Sequence, residues 1–153
     1  MEIRRETFDS ENAQALADAL EAELLATYDG RPGSGGLPEA AIFDPPHGAF
    51  LVGWVDGEAV ACGGIARYDD TTAEIRRMYV APQARGRGLS RLVLSALEDE
   101  ARALGYSFVR LETGHLQATA IGLYVSTGFG PIPRYGPFVN DPKSVCFEKR
   151  LEA

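Results

Sequence analysis

The stretch from Glu74 to Arg91, EIRRMYVAPQARGRGLSR, holds the residues best able to do chemistry. Arg85, Arg87 and Arg91 bring three guanidinium groups into one short segment, in a chain whose formal net charge is -7. Pro82 has no N–H to give to a strand ladder, so it stops the strand before it. Gly86 and Gly88 let the backbone turn tightly, and an amphipathic run begins at Leu89. The first N–H groups of a helix lack partners inside it, and the helix dipole adds partial positive charge. Glycine turn, helix start and arginines together make a cradle for a pyrophosphate. Two common phosphate loops do not fit: no Gly-Lys-Ser/Thr tripeptide is present, and the third glycine of a GxGxxG fingerprint would fall at position 91, which is Arg.

The strand leading into this turn is irregular. Its apolar residues Ile75, Met78 and Val80 are spaced three and then two apart, where alternation would be two and two. An extra residue between Ile75 and Val80 predicts a β-bulge that splays this strand from its neighbour. The unpaired backbone is then open to an extended, amide-bearing ligand that binds like an added strand. Coenzyme A carries such a tail, pantetheine, on a pyrophosphate.

The elements that must position this segment follow from pattern. Glu2–Phe8 reads as a strand, and Asp9 or Ser10 can cap a helix bearing Leu16, Leu20 and Leu24. A helical turn is expected near Pro38–Phe43, after the Gly-rich loop Asp29–Pro38. Ala49–Val55 and Glu58–Arg67 form a hairpin through Asp56-Gly57, and Thr72–Val80 is the next strand. Leu89, Leu92, Val93, Ala96, Leu97, Ala101 and Leu104 mark one face of a long helix that Gly105 stops. Ser107–Glu112 is a strand, Gln117–Thr127 a helix and Val145–Arg150 a last strand. The order predicts an α/β (α+β) fold: one domain over residues 1–153, with a mixed sheet of six or seven strands, helices on both faces and a splayed central pair.

Composition narrows the class. At 45% hydrophobic residues the chain can build one core, and no apolar run approaches the roughly 20 residues that span a bilayer. The N-terminus MEIRRETFDS places charges where a signal peptide needs its apolar stretch, so a cytoplasmic protein with no membrane partner is expected. The acidic balance argues against nucleic-acid binding. Cys62 and Cys146 lie far apart in apolar surroundings and read as buried, reduced thiols. No metal-ligand cluster is evident, and His47 and His115 read as loop residues.

With these residues in view, the sequence resembles the GNAT superfamily of N-acetyltransferases. Gln83-Ala84-Arg85-Gly86-Arg87-Gly88 matches that family's Q/R-x-x-G-x-G/A motif, and QATAIGLYVSTGF from Gln117 to Phe129 is similar to its second motif, with Ala120, Leu123, Tyr124, Gly128 and Phe129 in place and Gln117 standing for Asn. The likeness is clearest from Val52 to Phe129. It implies an enzyme that moves the acetyl group of acetyl-CoA directly to a primary amine of a small molecule or amino acid, in a ternary complex. Met78, Tyr79, Val80, Gln83, Arg85, Gly86, Arg87, Gly88, Leu89, Ser90, Arg91, Gln117 and Tyr124 would hold the donor. Tyr124 would also give a proton to the leaving thiolate, and Glu74 would take the amine's proton, directly or through water. Tyr28, Phe43, Glu112 and Tyr135 would shape the acceptor site. The residues alone leave other roles open: Tyr124 as packing, Glu74 as an ion-pair partner of Arg76 or Arg110, and Glu112 or water as the base. A non-catalytic CoA-binding module, a protein or peptide acetyltransferase and a binder of another phosphate ligand are the alternatives. A homodimer is compatible with the family, though no residue marks an interface.

Overall fold

The structure, a computed structural model, describes residues 1–152. The chain runs β1 (Glu2–Arg5), α1 (Glu11–Thr27), β2 (Ala49–Val55), β3 (Glu58–Arg67), β4 (Thr72–Val80), α2 (Leu89–Ala103), β5 (Phe108–Gly114), α3 (Ala118–Ser126), β6 (Gly130–Ile132) and β7 (Ser144–Arg150), with 3-10 turns at Ala40–Phe43, Pro82–Ala84 and Gly136–Phe138. All seven strands form one sheet in the order β1-β2-β3-β4-β5-β7-β6. Only β4 and β5 are parallel.

Helices cover both faces, as the element order predicts. On one face α1 packs through Ala13, Leu16 and Leu20 with Phe8, Phe50, Val52 and Val60. On the other, α2 contributes Val93, Leu94, Leu97 and Ala101, and α3 contributes Tyr124, against Ile65, Ile75 and Leu111. Burial alternates along β5, with Val109, Leu111 and Thr113 inward, because neighbouring side chains of a strand point to opposite faces. Where a strand has a layer on each side the alternation disappears, as in the buried run of β3.

Several boundaries differ from the sequence pattern. β1 ends at Arg5, because the chain turns at Thr7–Ser10 to start α1. Ser10, rather than Asp9, is the cap, its Oγ accepting from the Ala13 N–H at 3.1 Å. Leu92 leaves the apolar stripe of α2 and is half exposed, while Leu94 is buried. β5 runs on to Gly114. β6 is an additional edge strand of three residues, one of them Pro131, too short to show any period. Among the described residues no helix is long and apolar enough to cross a membrane.

Candidate active site

The centre of the sheet opens at the place the irregular strand foretells. β4 and β5 pair only from Thr72–Glu74 to Phe108–Arg110, and beyond Glu74 they diverge. On its other side β4 carries a bulge. Cys62 faces Tyr79 and Gly64 faces Arg76, so Gly63 stands opposite two residues, Arg77 and Met78. Arg77 adopts φ of +60°, a left-handed conformation that costs a non-glycine residue on the order of 1 kcal/mol. Its guanidinium bonds Glu21 at 3.0 Å and the Gly36 carbonyl at 3.1 Å, contacts that hold the bulge in place.

Two cavities occupy the split, and they share Leu20, Leu24, Met78, Gln117, Ala120 and Tyr124. The first, about 470 Å³, runs along Tyr79 and Val80 to the turn at Arg85–Ser90. Gly88 takes φ of +74° as the residue before α2, and a Cβ there would meet nothing within 4 Å. Among the described residues, the backbone N–H groups of Gly86 to Arg91 donate to no protein acceptor, as expected of a helix start. Of the three arginines, Arg85 is committed to Glu23 at 2.7 Å and to the Val80 carbonyl at 2.9 Å. Arg91 donates to Ser126 at 2.8 Å, and Arg87 is exposed; neither lines the cavity. Gln83 is turned to Glu58 at 3.2 Å and is also outside the lining. The remaining residues expected to hold the donor all line it.

The second cavity, about 370 Å³, lies on the side of Glu74 and Glu112. The Tyr135 hydroxyl donates to Glu74 at 2.7 Å. Glu112 accepts from Ser144 at 2.6 Å, and burial pushes its carboxyl above the ordinary range, Asp141 and Glu74 adding repulsion. Tyr28 crosses the end of β5: its hydroxyl donates to Gln117 at 3.0 Å and accepts from the Leu116 N–H at 3.1 Å. That crossing needs glycine at position 114, since a Cβ there would lie 1.7 Å from the Tyr28 oxygen. The Gly-rich loop forms the outer wall. Ser34 bonds Asp141 at 2.7 Å, and Arg76 and Arg77 both reach the Gly36 carbonyl.

Two expected acceptor residues stand elsewhere. Phe43 is buried between Phe8 and Phe50, with ring centroids 4.9 and 5.2 Å away, and lines neither cavity. Tyr135 is also buried and reaches the cavity only through its hydrogen bond to Glu74. Sequence reasoning passed over Gly114, Asp141 and Lys143, and saw Arg76 only as an ion-pair partner. The signal for Arg76 was present, because Glu74 and Arg76 are two apart on a strand and share a face.

Tyr124 sits where the cavities join. Its ring packs on Phe129 and Phe147, with centroids 5.6 and 6.3 Å away. Its hydroxyl has one partner, the Met78 sulfur at 3.8 Å, a weak acceptor. Burial pushes the phenol up to about 12, so it keeps its proton at neutral pH. The cysteines offer no competing nucleophile: both are buried, and burial raises Cys62 to about 12. Neither histidine lines a cavity; the His47 carbonyl accepts from Tyr106, and the His115 ring lies on the Lys143 carbonyl. No cluster able to hold a metal occurs among the described residues.

Known proteins share this fold. Residues 9–129 match the model of the acetyltransferase (GNAT) family. The chain is 45% identical over 150 residues to an "IAA acetyltransferase" of Azospirillum brasilense, covering 97% of each protein. In structure it resembles an assigned acyl-CoA N-acyltransferase of Klebsiella pneumoniae, with a TM-score of 0.83, 33% identity, and 99% and 97% of the two chains covered. A GNAT family acetyltransferase of Elizabethkingia anophelis, determined with acetyl-CoA bound, shares the fold at a TM-score of 0.70 and 17% identity, over 98% and 97% of the chains. The chain belongs to the GNAT family of acetyltransferases.

Proposed function

We propose that the protein transfers the acetyl group of acetyl-CoA directly to a primary amine of a small molecule or amino acid, both substrates being bound at once. Acetyl-CoA is the co-substrate of the family. The larger cavity suits it in three ways: free N–H groups from Gly86 to Arg91 for the pyrophosphate, room over Gly86 and Gly88, and an open edge of β4 at Met78–Val80 for an amide-bearing tail.

In this reading a backbone N–H near the bulge polarises the thioester oxygen as charge grows on it. Glu74 accepts the amine proton, directly or through one water. The nitrogen–carbon bond forms as the carbon–sulfur bond breaks, and the Tyr124 O–H supports the charge that develops on sulfur. A phenol at about 12 is a weaker acid than a thiol near 8.5, so Tyr124 assists by donating a hydrogen bond, and the departing sulfur takes its proton from solvent. An exposed phenol, at about 10, would already be the weaker acid, and burial widens the gap. Glu112 is the second carboxylate at the site; its raised pKa makes its ionised form a better base than an ordinary carboxylate.

The single observation that carries the proposal is Tyr124: a buried hydroxyl at the junction of two cavities, with only a thioether for a partner. An acetyl-CoA turnover screen over amines, amino acids, polyamines and aminoglycosides, read by thiol release, tests it. Turnover of a small amine supports it. CoA binding without release on any amine would make the chain a binding module, and acetylation of folded proteins alone would overturn the acceptor class.

A further inference from the structure

The cavity beside Glu74 is lined by charges of both signs, Arg31, Arg76, Arg77 and Lys143 with Glu21, Glu74, Glu112 and Asp141. Several guanidinium groups of the chain find close carboxylates: Arg77 with Glu21 at 3.0 Å, Arg85 with Glu23 at 2.7 Å, Arg110 with Glu148 at 2.6 Å. Arg76 does not. Its nearest carboxylate is Glu74, with 3.9 Å between Nε and Oε1, and its other contact is a 3.4 Å bond to the Gly36 carbonyl. The second Glu74 oxygen is taken by Tyr135. Lys143 and Arg31 line the same cavity, and neither pairs with a carboxylate among the described residues. Lys143 instead reaches the Pro32 carbonyl at 3.4 Å and lies 5.7 Å from the centre of the Tyr28 ring.

A carboxylate and a guanidinium, side by side on one strand face and not closely paired, complement a zwitterion. An ammonium group fits Glu74 and a neighbouring carboxylate fits Arg76, whose planar fork binds carboxylates in two-point fashion. A polyamine or simple diamine lacks the carboxylate that Arg76 would bind. Leu20, Leu24, Leu37 and Phe138 give the wall an apolar part.

We propose that the acceptor is an amino acid with an apolar side chain and a free carboxylate, held by Arg76 with Lys143 beside it; this rests on the reading of the chain as an amine acetyltransferase. Arg76 is then a specificity-determining residue. The test compares kcat/KM, with saturating acetyl-CoA, for amino acids such as leucine, phenylalanine and tryptophan against the amines made by removing their carboxyl groups. Wild type should favour at least one amino acid over its amine by about 10- to 100-fold, the range of one charge-assisted contact. In Arg76→Gln that ratio should fall towards one, chiefly through KM, and in Lys143→Gln it should fall less. Amines turned over as well as their parent amino acids would overturn this proposal while leaving the acetyltransferase reading intact. A preference unchanged in both variants would also overturn it. No thiol release with either member of any pair, while another amine of the wider screen is turned over, would overturn this proposal alone; no release with any amine would sink both readings.

Discussion

The two cavities that meet at Tyr124 are built in opposite ways. On the reading proposed above, the donor side takes its pyrophosphate cradle from one unbroken stretch, from Val80 through the glycine turn into the first turn of α2. Its binding groups are backbone N–H donors left free by geometry. The acceptor side is assembled from α1, the Gly-rich loop, β4, β5 and the segment before β7, and it works through side-chain charge. Backbone donors at a helix start tolerate many side chains, which suits a constant ligand. A mosaic of charges from five segments can change one residue at a time, which suits a variable one.

The comparison predicts different sensitivities. The largest effect belongs to the donor side. Gly88→Asp places a negative side chain where phosphate must lie, in a conformation that aspartate tolerates better than most residues. The variant should fold, yet its CoA dissociation constant should rise by 100-fold or more in titration calorimetry. Unchanged affinity in a folded protein would erase the contrast between the two sides.

Next comes the junction. Tyr124→Phe removes only the hydroxyl and leaves the packing on Phe129 and Phe147. Steady-state kinetics should show kcat lower by about 10²-fold, with CoA affinity nearly unchanged. Wild-type turnover would return Tyr124 to a packing role.

Smaller effects belong to the acceptor side. Glu74→Gln should lower kcat/KM by roughly 10- to 100-fold. Tyr135→Phe removes the 2.7 Å bond that positions Glu74 and should cost less, on the order of 3- to 10-fold. If Tyr135→Phe costs more than Glu74→Gln, the carboxylate is not the acceptor of the proton and Glu112 takes its place.

The smallest effect is one of stability. The Glu112 carboxyl titrates above its ordinary value of about 4.5 because it is buried. The folded state therefore binds its proton more tightly than the unfolded state, and stability is lost as pH rises through that raised value. Glu112→Gln removes the penalty while keeping an oxygen for Ser144. Thermal unfolding should give the variant a higher Tm than wild type at pH 7, with the gap closing below about pH 4.5. A gap independent of pH would show that packing sets the difference.

The same contrast explains what was legible in the sequence. The donor side was readable because a broken apolar rhythm at Ile75, Met78 and Val80, two glycines and a helix start lie in a row. The seven-strand sheet and the helices on both faces followed from pattern, apart from β6, which is too short to carry one. Arg87 and Arg91 line neither cavity: local charge shows that cations are present, not which way they turn. The acceptor side depends on contacts between residues far apart in sequence, such as Tyr28 with Gln117, Ser34 with Asp141 and Tyr135 with Glu74. An aromatic residue in the right segment can face the core as easily as the cavity, and Phe43 does the former.

A crystal structure of the acetyl-CoA complex tests the central claim most directly. The account predicts pyrophosphate oxygens within hydrogen-bond distance of the N–H groups between Gly86 and Arg91, pantetheine amides paired with β4 at Met78–Val80, and the acetyl group beside Tyr124, with the Glu74 cavity left open for an amine. Pantetheine lying in the Glu74 cavity, or a pyrophosphate bound away from the start of α2, would contradict it.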